Sequence, residues 1–105
     1  MLPWYSGEGK VALVTGATGG IGGAAVKLFR KAGATVVATG RDQHHIEEVF
    51  RSDDHVLALE ADFAKEDDAR RAIANALERY GRIDHVVHSA GAVGKGRIEE
   101  TSLTD

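Results

Sequence analysis

Residues Lys10–Gly23 read KVALVTGATGGIGG, and the rest of the chain is arranged around them. Val11, Ala12, Leu13 and Val14 form a short, wholly apolar run, the pattern of a strand buried on both faces in a parallel sheet. The run stops at Thr15, and glycines follow at Gly16, Gly19, Gly20, Gly22 and Gly23. Ile21, Ala25, Leu28, Phe29 and Ala32 then recur at helical spacing and predict a helix with one apolar face. The order is strand, glycine turn, helix. Glycines let another backbone or a ligand come close. A helix opening here presents unpaired N–H groups and the positive end of its dipole. Together these point to a bound phosphate; a tight strand-to-helix turn with no ligand is the alternative.

The chain has 105 residues, the size of one domain. Residues 10–105 are read as that domain. Residues 1–9 are read as a tail, since Pro3, Ser6, Gly7 and Gly9 break any regular pattern. Trp4 and Tyr5 are expected to pack on the domain's edge. The net charge is −3 with no basic block, so nothing favours nucleic acid or an anionic membrane surface. Cysteine is absent, which excludes disulfides, thiol catalysis and thiolate metal sites and fits a cytoplasmic setting. No apolar run approaches the ~20 residues of a membrane span. The N-terminus has neither the basic start nor the long apolar core of a signal peptide.

Further along, Gly33 is placed to end the first helix, and Ala34–Thr39 reads as a second strand. Asp42–Ser52 is expected to be a short helix with Ile46, Val49 and Phe50 inward. His44 and His45 are adjacent and cannot share a helical face, so they are read as solvated rather than metal-binding. His55–Leu59 is the third strand. Glu66–Tyr80 is the clearest helix, with Ala69, Ala72, Ile73, Ala76, Leu77 and Tyr80 on one face. Glu66, Asp67 and Asp68 suit its positive first turn, and Gly81 stops it. Ile83–Ser89 is the fourth strand. Successive βα units predict an α/β fold with a parallel sheet in the order 3-2-1-4 and right-handed crossovers. A ligand then belongs at the carboxyl ends of strands one and four, where the order reverses.

The glycine turn carries a family resemblance. Gly16, Gly20 and Gly22 after Thr15 spell T-G-x-x-x-G-x-G, which resembles the short-chain dehydrogenase/reductase family in its classical form. Read through Gly16, Gly19 and Gly22, the same letters resemble the extended branch of sugar-nucleotide epimerases. The run Arg79–Asp84, RYGRID, and the tail Gly96–Asp105, GRIEETSLTD, favour the classical form. The resemblance implies a Rossmann-type, three-layer, doubly wound sheet, of which this chain is the N-terminal half. It implies cofactor contacts from Gly16, Thr18, Gly19, Gly20, Ile21 and Gly22. At the end of strand two, Gly40 stands where a carboxylate would bond the 2′-hydroxyl of NAD, and Arg41 follows. Gly40 leaves room and Arg41 can grip a 2′-phosphate, so NADP is expected, with NAD the other option. Asp42, next to Arg41, could instead hold it in an ion pair. Asp62 matches the family's contact to the adenine edge, with Phe63 beside it through its backbone; the alternative is that Asp62 caps the following helix. Where the family has Asn-Asn-Ala-Gly, this chain has His88, Ser89, Ala90 and Gly91. Ser89, Ala90 and Gly91 are expected to let the cofactor's ribose and nicotinamide approach. His88 replaces an Asn that ties neighbouring strands together and could make that tie through either ring nitrogen; a hydrogen-bonded histidine at the edge of the core, rather than a catalytic base, is expected.

The family's chemistry lies in a second half, where a Ser, a Tyr-x-x-x-Lys and an Asn act on the substrate. Tyr5 and Tyr80 are the only tyrosines, and Gly9 and Asp84 stand four places after them. No catalytic residue is carried over, and no metal site is expected. Three functions follow as expectations. The first is the cofactor-binding part of an NADP-dependent carbonyl/alcohol oxidoreductase. The second is a non-catalytic nucleotide-binding or sensing module. The third is one chain of a split enzyme. In each, the fourth strand is an open edge that invites self-association or the missing half.

Overall fold

The computed structural model describes residues 6–89, in which strands and helices alternate. The elements are β1 (Val11–Thr15), α1 (Gly20–Lys31), β2 (Thr35–Gly40), α2 (Gln43–Phe50), β3 (Val56–Glu60), α3 (Glu66–Tyr80) and β4 (His85–His88). All strand pairs are parallel, in the order β3-β2-β1-β4. The expected fold is therefore present, with element ends moved by one or two residues. Gly40 is the last residue of β2 rather than the first beyond it.

β1 is buried throughout because a layer of helix covers each of its faces. Ala12 and Val14 pack with Val26, Ala25 and Phe29 of α1 and with Ile46 of α2. Val11 and Leu13 point the other way, toward Ala76, Ile73 and Tyr80 of α3. This is the period-two alternation of a strand expressed between two apolar layers.

The helices turn slightly from the expected faces. Val26 of α1 is buried while Ile21 and Leu28 are 49% and 56% exposed. The reason is the glycine start. A Cβ on Gly22 would run into the Gly16 carbonyl oxygen, so this side of α1 is pressed onto the turn. Gly22, Val26 and Phe29 then carry the buried line, and Ile21 and Leu28 fall off it. Val49 of α2 and Leu77 of α3 are likewise about half exposed, at 48% and 45%.

The helix ends follow local chemistry. Gly33, at φ +96°, closes α1 in a Schellman motif. Its N–H donates to the Arg30 carbonyl at 3.0 Å, and the Ala34 N–H donates to the Phe29 carbonyl at 2.9 Å. Gly81, at φ +77°, closes α3 by donating to the Leu77 carbonyl at 2.7 Å. Gly7 is buried against this same α1–β2 corner, its N–H donating to the Ala32 carbonyl at 2.8 Å.

One carboxylate starts the β1–β4 pairing. Asp84 Oδ2 accepts the Val11 N–H at 2.8 Å, and the Asp84 N–H donates to the Val11 carbonyl at 2.8 Å. Arg82 grips the same carboxylate with Nε at 2.9 Å and Nη2 at 2.7 Å. The bond to Arg82 and then the Val11 N–H, against partial burial, hold the Asp84 carboxyl below the usual carboxylate range. A group depressed in the folded state stabilises the fold above its unfolded pKa, and that contribution disappears as pH falls through the folded pKa. Asp84→Ala is therefore expected to cost about 1.5–3 kcal/mol at neutral pH. Urea melts should show that gap narrowing once the pH drops below the carboxylate range, about pH 4. A gap of equal size in acid would mean that the charge is not its source.

Candidate functional site

A cavity of about 500 Å³ opens at the carboxyl ends of all four strands. That volume lies within the range of small-molecule sites. Thr15 and Gly16 line it at the end of β1, Gly40 and Arg41 at the end of β2, Ala61 to Ala64 beyond β3, and His88 and Ser89 at the end of β4. Thr18 and Gly19 close it from the glycine turn. Gly20, Ile21 and Gly22 form the first turn of α1 and are not among the lining residues. Ala90 and Gly91 fall outside the described residues.

The turn is built backbone on backbone. Gly16 has φ +60°, and a Cβ there would strike the Ser89 carbonyl oxygen. The Ala17 N–H donates to the Thr39 carbonyl at 3.0 Å, and the Gly19 N–H to the Gly16 carbonyl at 3.1 Å. Gly19 is the N-cap of α1 and supplies no side-chain bond, and the first turn holds no acid. The amides that open α1 thus have no side-chain cap, and the positive end of the helix carries no fixed counter-charge. The other two helices differ. Asp42 caps α2 by accepting the His45 N–H at 3.3 Å, and α3 begins with Glu66, Asp67 and Asp68.

The Asp42 cap answers one question left by the sequence. Its carboxylate is used by α2, and no ion pair joins it to Arg41 among the described residues. Arg41 is exposed at the cavity rim. Gly40 has a second constraint besides room for a ligand, because a Cβ there would sit 3.1 Å from Ile46 Cδ1.

Asp62 does not cap α3, whose N-cap is Lys65. Instead Asp62 Oδ1 accepts the Ala64 N–H at 3.0 Å, closing an Asx turn. Asp68, in the first turn of α3, reaches back to accept the Asp62 N–H at 2.9 Å. That bond holds the Asp68 carboxyl below its ordinary range, against the effect of burial and with help from Arg71. Across the sheet, Thr15 and His88 are register partners, with Thr15 Oγ1 3.0 Å from His88 Nδ1. His88 thus ties β4 to β1, and it does so through Nδ1. Phe63 lies over the same histidine, ring centroids 6.4 Å apart.

The model of the short chain dehydrogenase family matches residues 10–105. The chain belongs to the short-chain dehydrogenase family. It is 35% identical over 97 residues to 11-beta-hydroxysteroid dehydrogenase A of Sesamum indicum, covering 88% of this chain and 28% of that protein. It is 39% identical over 95 residues to zerumbone synthase of Zingiber zerumbet, covering 88% and 36%. Among solved structures, a 3-ketoacyl-(acyl-carrier-protein) reductase from Brucella melitensis complexed with NADH superposes with a TM-score of 0.73 at 44% identity, over 78% of this chain and 34% of that one. A short-chain dehydrogenase/reductase from the same organism gives a TM-score of 0.80 at 36% identity, over 85% and 39%. The chain thus spans about a third of the length of these relatives, their N-terminal part.

With the family in hand, the lining residues that motif reading passed over are Thr15, Ala61, Ala64 and His88. Thr15 ends β1 and Ala61 directly follows β3, and that position was their signal. His88 was visible as a departure from Asn-Asn-Ala-Gly. Ala64 has no side-chain chemistry to announce it. No group of three or more His, Cys, Asp or Glu able to hold a metal occurs among the described residues. Nor is any helix there long and apolar enough to cross a membrane.

The glycines should respond unequally to substitution. Gly16→Ala forces a positive φ on a residue with a Cβ and displaces the Ser89 backbone, for a loss above about 1 kcal/mol. Gly20→Ala meets nothing within 4 Å and should be neutral or mildly stabilising. Paired thermal melts decide this, and equal effects would contradict the close packing described.

Proposed function

We propose that the chain is the dinucleotide-binding part of an oxidoreductase that moves hydride between NADP(H) and a carbonyl or alcohol substrate. One observation carries the reading: the cavity brings the uncapped start of α1 and Arg41, which has no ion-pair partner among the described residues, to one rim. The diphosphate would lie across the Thr18–Gly22 backbone, where N–H groups and the helix dipole favour an anion. The adenine would rest by Asp62 and Phe63. The ribose and nicotinamide would approach past Ser89, Ala90 and Gly91. When bound, the reduced cofactor would give hydride to a carbonyl and the oxidised one would take it from an alcohol. The substrate-binding and proton-transfer groups would belong to a part of the fold that this chain does not contain, and the edge of β4 is where such a part would join.

Preference for NADP rests on Gly40 and Arg41. No carboxylate ends β2, and Arg41 has no ion-pair partner among the described residues. A 2′-phosphate would supply one. NADH is the natural comparison ligand, since the similar Brucella reductase is described as complexed with it.

The chain should bind NADPH more tightly than NADH by fluorescence titration. Arg41→Ala should cost NADPH about tenfold, the lower end for a charge-assisted bond at an exposed site, and leave NADH unchanged. Equal losses for both would contradict the assignment. Gly40→Asp should reverse the preference, because its carboxylate would repel the 2′-phosphate and bond the 2′-hydroxyl of NADH.

A further inference from the structure

We propose that His88 is itself a cofactor contact. Its ring donates a hydrogen bond from Nε2 to an acceptor oxygen of the dinucleotide's ribose or diphosphate. The inference rests on the dinucleotide reading above.

The argument begins at Thr15. The residue is 3% exposed, and its hydroxyl has one partner among the described residues, His88 Nδ1 at 3.0 Å. A hydroxyl can donate or accept, and so can a neutral imidazole nitrogen, so two arrangements compete. If Nδ1 carried the proton, Thr15 Oγ1 would accept it. The hydroxyl hydrogen of a residue only 3% exposed would then have no protein acceptor among the described residues, an outcome that folded proteins avoid. If Thr15 donates, Nδ1 accepts and both groups are satisfied. The ring proton must then reside on Nε2.

Nε2 has no protein partner among the described residues, and His88 lines the cavity beside Ser89. The ring is held by Thr15 on one side and by the tilted Phe63 ring, at 53°, on another. A donor fixed in this way loses little freedom when it binds. His88 therefore does two things at once: Nδ1 ties β4 to β1, and Nε2–H serves the ligand.

The test separates the two. Long-range ¹⁵N spectra of the chain at about pH 8, where an ordinary histidine is neutral, should show His88 protonated at Nε2. Protonation at Nδ1 would overturn the inference. His88→Asn keeps an acceptor for Thr15 and withdraws the donor from the cavity. Its affinity for ADP-ribose should fall about three- to tenfold, with the melting temperature held. His88→Gln, whose amide reaches further, should recover part of the loss. If His88→Asn does not fold, Thr15→Val replaces it: the tautomer lock is lost and ADP-ribose binding should weaken while the histidine remains. Binding that is unchanged in the folded variant overturns the inference alone. Failure of the unaltered chain to bind ADP-ribose overturns the dinucleotide reading and the inference with it.

Discussion

The structure depends on a contact between backbones at the end of β1. Gly16 lies under the Ser89 carbonyl, and Gly22 lies over the Gly16 carbonyl. No side chain larger than hydrogen fits at either place. This close approach sets three things together. It fixes how near α1 sits to the sheet, which way its buried line of Gly22, Val26 and Phe29 faces, and where β4 ends relative to β1. The cavity is what remains above those strand ends once the backbones have met.

Sheet order then decides what gathers around that cavity. After β1 the chain goes to β2 and β3 on one side, and α3 brings it back to β4 on the other. The reversal leaves a crevice at the carboxyl ends, the general place for ligands in open α/β sheets. Its charge is asymmetric. Arg41 and the uncapped start of α1 are positive, whereas the acidic Asp62 lines the cavity from beyond β3, in a turn held by Asp68. Two helix starts have their own acids and one has none. An anion would supply what α1 lacks.

Much of this was legible in the sequence, for physical reasons. A doubly buried strand must be apolar at every position, so Val11–Val14 was plain. A close backbone approach demands glycine, so the turn was plain too. The buried faces of the helices were harder. Hydropathy placed Ile21 and Leu28 inward, but the direction of α1 is set by contact at Gly22, and a glycine adds nothing to an apolar stripe. The role of Asp62 was open because one carboxylate can cap a helix or close an Asx turn, and the choice depended on Asp68 reaching back six residues. The pairing of Thr15 with His88 joins positions 73 apart in sequence. Only the strand register brings them together, and no local pattern encodes it. Gly40 was read as space for a ligand, and its contact with Ile46 appeared only when α2 was docked on β2.

The central claim is that the β1–α1 turn and the cavity above it hold a dinucleotide through its diphosphate. Backbone amide spectra of the ¹⁵N-labelled chain, recorded while NADPH is added, test it most directly. The account predicts that the largest shifts fall on the amides of Thr18 to Gly22, with smaller ones at Arg41 and at Asp62 to Ala64. Saturating NADPH that leaves the Thr18–Gly22 amides in place, or that moves residues away from the carboxyl ends of the strands instead, would contradict it.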